Sequence, residues 1–398
     1  MTDEDIMEFD SEIRDPDMEN LLVKPTALYL LNDTIKRICN FTNNSRSFCN
    51  STDDYDRHDY SDAEAMEKLL SIIVPILFGI IFIVGLFGNS LVVIVVLCNP
   101  QMRSTTNLLI INLAVADLLF IVFCVPFTAW DYALPYWPFG DAWCKVVQYL
   151  VIVCAYASIY TLVLMSLDRF LAVVHPITSI SLRTERNALI AIFLLWIVIL
   201  LSCVPALKAH GEFNYMFAHA EYSMCIFLVN EGYNHAVFQI CFFLSSYVIP
   251  LSLIFALYLL MLKRLWFGVA PGGHVSSESV RSKKRVTRMV VVVVVIFAVC
   301  WCPIHIVLVM KGVEAYRLTP VGIAVQIAAQ ILAYMNSCVN PILYAFLSDN
   351  FRKAFRKVIA CNPQMGRTRR GDYERTERDT MGTCATKSST TKTSNDIL

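Results

Sequence analysis

Charged residues are scarce in this 398-residue chain: Asp, Glu, Lys and Arg make up 17% of it, against 56% for hydrophobic side chains. A soluble domain carries about a quarter charged residues, so the composition argues against a water-soluble globule. Histidine is also sparse, seven in all, and only His305 lies deep inside an apolar run. A membrane hydrolase needs several His or Cys at helical spacing to hold a metal, and no serine-nucleophile glycine motif appears either, so catalysis is not expected. Transporters commonly show internal repeats or several mid-membrane charges; here there is no long repeat, and Asp117 is nearly alone. No basic-then-apolar segment opens the chain in the manner of a secretion signal. With 33 bases against 33 acids, only the distribution of charge is informative, and no nucleic-acid partner is expected.

What the chain has in abundance is long apolar runs: residues 69–98, 118–130, 146–167, 188–207, 236–262, 289–310 and 321–347. Six hold no acid or base over roughly 20 residues, enough for a helix to cross about 30 Å of hydrocarbon. The short one becomes a span when Asn107–Ala116 is added, with Asp117 in its middle. In lipid the backbone must satisfy its own hydrogen bonds, so helices are the expected form. The spacing predicts an all-α seven-span bundle over 69–347, a tail over 1–68, an amphipathic helix over 348–361 and a disordered tail over 362–398.

Basic residues set the orientation. With the N-terminus outside, the inner loops hold ten Lys and Arg and the outer loops four, as cytoplasmic loops should. The first 68 residues are acidic, with 17 Asp and Glu against 7 Lys and Arg. Their four sequons, at Asn32, Asn40, Asn43 and Asn50, fit a glycosylated exterior. The expected location is a plasma membrane crossed several times. Of 14 cysteines, most read as small apolar residues. Cys144 and Cys225 fall on the outer side, where oxidising conditions permit a disulfide; Cys39 and Cys49 are open to the same reading.

Ionisable groups inside a span are costly and mark function or a packing pair. Asp117 is the clearest. The last span carries Gln326, Gln330, Tyr334, Asn336, Ser337, Asn340 and Tyr344 mostly along one helical stripe, which faces a watery interior or glues helices together. Asp168 and Arg169 close the third span. Pro205, Pro250, Pro303 and Pro341 interrupt four spans and can kink them.

Across residues 69–361 these signatures resemble the rhodopsin-like G-protein-coupled receptors, one per span: Gly88-Asn89; Leu113-Ala114-Val115-Ala116-Asp117; Asp168-Arg169-Phe170; Trp196; Pro250 with Tyr258; Cys300-Trp301-Cys302-Pro303; and Asn340-Pro341-Ile342-Leu343-Tyr344. The resemblance implies a Cys144–Cys225 disulfide. It implies a sodium pocket of Asn89, Asp117, Ser158, Asn336 and Ser337 as the one bound ion, with no other cofactor. Trp301 would be a rotamer toggle above the hinge at Pro303, and Asn340 with Pro341 would hinge the last span. Asp168 would hold Arg169 at rest; Arg169, Tyr258 and Tyr344 would meet when a cavity opens for a heterotrimeric G protein. Phe170 replaces the usual Tyr. Lys283 stands where many relatives carry an acid facing the arginine, so the usual lock between the third and sixth spans is not expected.

Val151 stands where amine receptors carry Asp, and Tyr334 where opsins carry Lys, so neither ligand chemistry is expected. A peptide is the leading ligand, bound by Trp130, Asp131, Trp137, His305, Gln326, Gln330 and Tyr334, with another peptide or non-amine ligand as the alternative. The runs Tyr334–Pro341 and Leu347–Phe355 are similar to the galanin-like receptor group, insect allatostatin-A receptors most of all. That implies a short amidated neuropeptide and an inhibitory-type G protein. Phe351, Phe355, Val358 and Ile359 share one face opposite Arg352, Lys353, Arg356 and Lys357, the pattern of a helix lying on membrane lipid. Cys361 beyond it is a palmitoylation candidate. The Ser- and Thr-rich tail would take phosphates from receptor kinases and then engage arrestin.

Overall fold

The structure, a computed structural model, describes residues 56–102, 104–134, 136–217, 220–228, 233–267, 277–316 and 319–359. The sequons at Asn32, Asn40, Asn43 and Asn50, the pair Cys39 and Cys49, and Cys361 lie outside the described residues.

Among the described residues, seven helical stretches are long and apolar enough to cross a membrane: Lys68–Cys98, Thr105–Ala133, Gly140–Val174, Glu185–Ala209, His235–Arg264, Val290–Gly312 and Val321–Leu347. They are numbered here as spans 1 to 7. The chain is a multi-pass membrane protein, as its apolar run lengths require. Large apolar side chains such as Phe87, Phe193, Leu201 and Phe346 stay exposed on the outside of the bundle, which in lipid is the low-energy arrangement. Buried polar residues turn inward instead.

The helix containing span 1 starts at Asp56, twelve residues before the expected end of the tail. The run Ala63-Glu64-Ala65-Met66-Glu67 explains the extension, since all are strong helix formers. Span 3 also begins earlier than its apolar run and places Cys144 and Lys145 on the helix. The helices flanking the third inner loop run to Phe267 and from Ser277, so that loop is shorter than the apolar runs suggest.

Helix starts are capped by side chains. Ser104, Thr184, Asn234 and Thr319 each accept the N–H of the residue three positions on, satisfying a donor the helix leaves free. Proline accounts for the breaks. Span 2 divides at Cys124 into Thr105–Phe123 and Val125–Ala133; Pro126, not among the prolines singled out above, removes the donor and crowds the preceding turn. Span 4 breaks at Cys203 ahead of Pro205. Span 5 opens into a π-turn over Leu244–Val248 just before Pro250. Its Ser245 carbonyl accepts the Tyr160 hydroxyl at 2.9 Å, so the loosened backbone keeps a partner. Pro303 and Pro341 sit inside continuous helices.

Side-chain bonds tie the spans where hydrocarbon offers no alternative partner. Asn112 of span 2 donates to Thr161 of span 3 at 2.7 Å and accepts from the Trp196 indole of span 4 at 2.8 Å. Gly88 lets span 1 approach span 7: a Cβ there would stand 3.1 Å from Pro341.

Between spans 4 and 5 the expected long loop contains an antiparallel hairpin, β1 (His210–Phe217) and β2 (Ala220–Phe227), with Glu212 opposite Cys225. It lies over one end of the bundle, hereafter the hairpin end. At the other end the helix Asp349–Ile359 follows span 7. Phe351, Ala354 and Phe355 are buried there while Arg352, Lys353 and Arg356 are exposed, and Phe351 stacks on Tyr344 at 5.4 Å.

Candidate functional site

Three groups of polar residues line the bundle axis, one at each end and one between. At the hairpin end, a disulfide joins Cys144 of span 3 to Cys225 of β2. Two further attachments hold the hairpin down. The Trp137 N–H donates to the Ser223 carbonyl at 2.8 Å, and the Ser223 hydroxyl returns a bond to the Trp137 carbonyl at 2.8 Å. Asp141 accepts the Glu212 N–H at 3.0 Å while pairing with Lys145 at 2.7 Å. His210 roots the hairpin between the rings of Phe227 and Phe238; burial pushes it down to about 4, so it is neutral near pH 7.

Beneath the hairpin two walls differ in chemistry. Spans 2 and 7 form the polar wall. The Tyr132 hydroxyl donates to Gln330 Oε1 at 2.7 Å, and Thr128 shares a hydrogen bond with the Tyr334 hydroxyl at 2.8 Å. Tyr334 is further wedged edge-on against Phe78 and Phe120. Asp131 neighbours Tyr132 on the same helix, and Gln326 lies one turn from Gln330, its Oε1 buried with no partner among the described residues. Spans 5 and 6 form the aromatic wall. His305 is 1% exposed and surrounded by Phe242, Phe243, Tyr247 and Trp301, with ring centroids 5.1–5.9 Å away. Its Nδ1 has no partner among the described residues, and neither has the Trp301 indole N–H.

The seven expected ligand-contact residues therefore do not form one set. Asp131, Gln326, Gln330 and Tyr334 share the polar wall, and His305 sits in the aromatic wall. Trp130 is half exposed and packs on Phe139 of the first outer loop. Trp137 is 3% exposed, and its indole donates to the Gly140 carbonyl at 3.0 Å. It packs with Cys144 and Val147, beside the disulfide. Thr128 was missed because a threonine in an apolar run carries no signal until Tyr334 is seen opposite it.

Midway along the axis Asp117 is fully buried. Its Oδ2 accepts from Asn340 Nδ2 at 2.9 Å; its Oδ1 has no partner among the described residues. Asn89 donates to the carbonyls of Gly85 and Ser337 at 2.9 and 2.8 Å, which leaves its own Oδ1 buried and unpartnered. Ser158, Asn336 and Ser337 are buried as well, and the Ser337 carbonyl is one of the two that Asn89 reaches. Orphaned oxygens around a carboxylate fit a small hard cation, which takes oxygen ligands.

At the far end Arg169 is 8% exposed. Its Nε donates to Asp168 Oδ2 at 3.0 Å, and its Nη2 contacts both Asp168 and Thr106. The Thr106 hydroxyl donates to Asp168 Oδ2 at 2.9 Å. Arg183, absent from the sequence expectations, also reaches this carboxylate, Nε to Oδ1 at 2.6 Å and Nη2 to Oδ2 at 3.3 Å. The Tyr344 hydroxyl is buried with no partner among the described residues. The arginine is thus held by Asp168 of its own helix and Thr106 of span 2, with no hydrogen bond to the Tyr344 hydroxyl. Lys283 lies on the helix of span 6, and its side chain is outside the described residues.

The bundle thus carries a hairpin pinned over buried polar side chains at one end and a guanidinium tethered to a buried acid at the other. Comparison with known proteins places it further. The chain matches the 7 transmembrane receptor (rhodopsin family) model over residues 88–344. It is 61% identical over 334 residues to an allatostatin-A receptor of Bombyx mori, covering 83% of this chain and 91% of that protein. It is 39% identical to a galanin-like G-protein coupled receptor of Caenorhabditis elegans over 75% and 76% of the two chains, and 42% identical to mouse galanin receptor type 2 over 73% and 76%. The chain belongs to the rhodopsin family of seven-transmembrane receptors, whose members signal rather than catalyse. Within it, the chain is similar to the allatostatin-A and galanin receptors.

Proposed function

We propose that this receptor binds a short, C-terminally amidated neuropeptide of the allatostatin-A or galanin kind and activates a heterotrimeric G protein of inhibitory type. What supports this reading is the chemistry of the two walls: hydrogen-bonding Asp131, Tyr132, Gln326, Gln330 and Tyr334 on spans 2 and 7, and the rings around His305 on spans 5 and 6. The wall residues named here include no Lys or Arg, so a ligand carboxylate finds no permanent cation among them. Amide side chains both donate and accept, which suits peptide and terminal amide groups. In this reading the hairpin end and the N-terminus face the exterior of the plasma membrane. Binding of a GTP analogue to receptor membranes, run over a neuropeptide panel, tests it. Amidated peptides should stimulate at concentrations at least ~10-fold below their free-acid forms, the equivalent of about 1.4 kcal/mol. Equal potency of acid and amide would remove the amide from the proposal. Stimulation only by a non-amidated or non-peptide ligand would favour the broader alternative.

Sodium belongs to the same proposal as an allosteric ion held by Asp117 Oδ1 and Asn89 Oδ1, with Ser158, Asn336 and Ser337 around them. A ligand shifts only states that it binds unequally, and an ion filling these oxygens favours the compact bundle. Sodium, compared with a large organic cation at equal ionic strength, should therefore weaken peptide affinity. Asp117→Asn should abolish that difference. A mutant retaining the full sodium effect would place the ion elsewhere. N-linked glycans at Asn32, Asn40, Asn43 and Asn50, a palmitoyl chain on Cys361 anchored in membrane lipid, and tail phosphorylation by receptor kinases followed by arrestin complete the reading.

A further inference from the structure

Asp168 carries two guanidinium groups, and they use it differently. Arg169 takes Oδ2 together with Thr106, while the Arg183 Nε takes Oδ1 at 2.6 Å and its Nη2 reaches Oδ2 only at 3.3 Å. Arg183 is held from outside the span. Its backbone N–H donates to Ser179 O at 2.9 Å, and its carbonyl accepts the Thr105 hydroxyl at 3.1 Å. Nothing in these contacts passes through Arg169 or span 6. The Asp168 side chain is 4% exposed and that of Arg183 26%, so the second cation reaches a buried acid from the bundle edge.

We propose that Arg183 is a positioning residue for signal transfer: it keeps the Asp168 carboxylate compensated when Arg169 leaves it for the opened cavity. An acid stranded in the bundle without a partner is strongly disfavoured, so a lone Asp168–Arg169 pair would hold the arginine at home. With Oδ1 already occupied by Arg183, and Thr106 still donating to Oδ2, release of Arg169 breaks its own bonds to Asp168 and Thr106 without orphaning the acid. The second cation thereby lowers the free energy of the active arrangement relative to the resting one. The proposal rests on the coupling role assigned to Arg169.

The test measures basal and peptide-stimulated nucleotide exchange at matched surface expression. Arg183→Ala should lower both by about fivefold, the low end of coupling in switching equilibria. Arg183→Lys should recover part of the loss, since it restores charge without the paired donors. Asp168→Asn removes the charge that needs compensating and should raise basal exchange; adding Arg183→Ala to it should then change nothing, because coupled residues fail additivity. The same fivefold loss in the Asp168→Asn background would assign Arg183 to direct contact with the G protein and overturn the proposal. Raised or unchanged exchange in Arg183→Ala would also overturn it. If Arg183→Ala fails to reach the surface, Arg183→Gln carries the test. Wild-type exchange in Arg169→Ala would instead sink the underlying coupling role.

Discussion

Arg169→Ala is expected to leave peptide binding intact at the cell surface while stimulated nucleotide exchange drops by about 100-fold or to background, the upper range of allosteric coupling. The two halves follow from distance and charge. The ligand walls lie near the hairpin end and Arg169 at the other, separated by roughly the 30 Å a membrane helix spans. Losing the guanidinium does not touch Tyr132, Gln330 or His305. What it removes is a buried cation now spent on Asp168 and Thr106. When span 6 swings about Pro303, that cation is the group free to face the partner and to approach Tyr258 and Tyr344. Radioligand saturation and GTP-analogue binding on the same membranes check both halves. Exchange at wild-type level would exclude the arginine from coupling; loss of peptide binding as well would show that it acts on the fold. Since Lys283 cannot supply an acid from span 6, measurable exchange without peptide is expected from the unmodified receptor.

Cys144→Ser and Cys225→Ser are each expected to abolish high-affinity peptide binding. The bond closes an 81-residue separation, and losing a disulfide of that kind costs on the order of 2–5 kcal/mol. The remaining attachments, Trp137 to Ser223 and Asp141 to Glu212, are a few neutral or exposed hydrogen bonds, each contributing about 1 kcal/mol. They should not hold the hairpin in register over the walls. Because both variants remove the same bond, the double variant should bind no worse than either single one. Normal affinity in both singles, measured on surface-labelled receptor, would show that the hydrogen bonds suffice. A double variant much worse than the singles would give one cysteine a role outside the disulfide.

The seven spans were legible because crossing a membrane imposes a local rule: each run must be apolar over its own length, whatever it packs against. The carboxylate in span 2 and the polar stripe of span 7 were legible for the same reason, as exceptions to that rule. The hairpin between spans 4 and 5 was not. Its strands are paired by backbone bonds and pinned by Cys144, Trp137 and Asp141, which lie far away in sequence. Trp137 illustrates the limit from the other side. Its packing with Cys144 and Val147 and its bond to the Gly140 carbonyl come from how the loop folds back on span 3.

The sequence by itself determined the number of spans, the buried position of Asp117, the acidic and basic ends, and the placement of proline-induced breaks at Pro205 and Pro250. These follow from composition and from a missing backbone donor, both properties of a short stretch. Only the tertiary structure decided which polar groups share a partner: Tyr132 with Gln330, Thr128 with Tyr334, Asn340 with Asp117, and Arg183 with Asp168. A side chain's hydrogen bonds depend on what another helix presents within about 3 Å, and no local pattern in an apolar run records its neighbour.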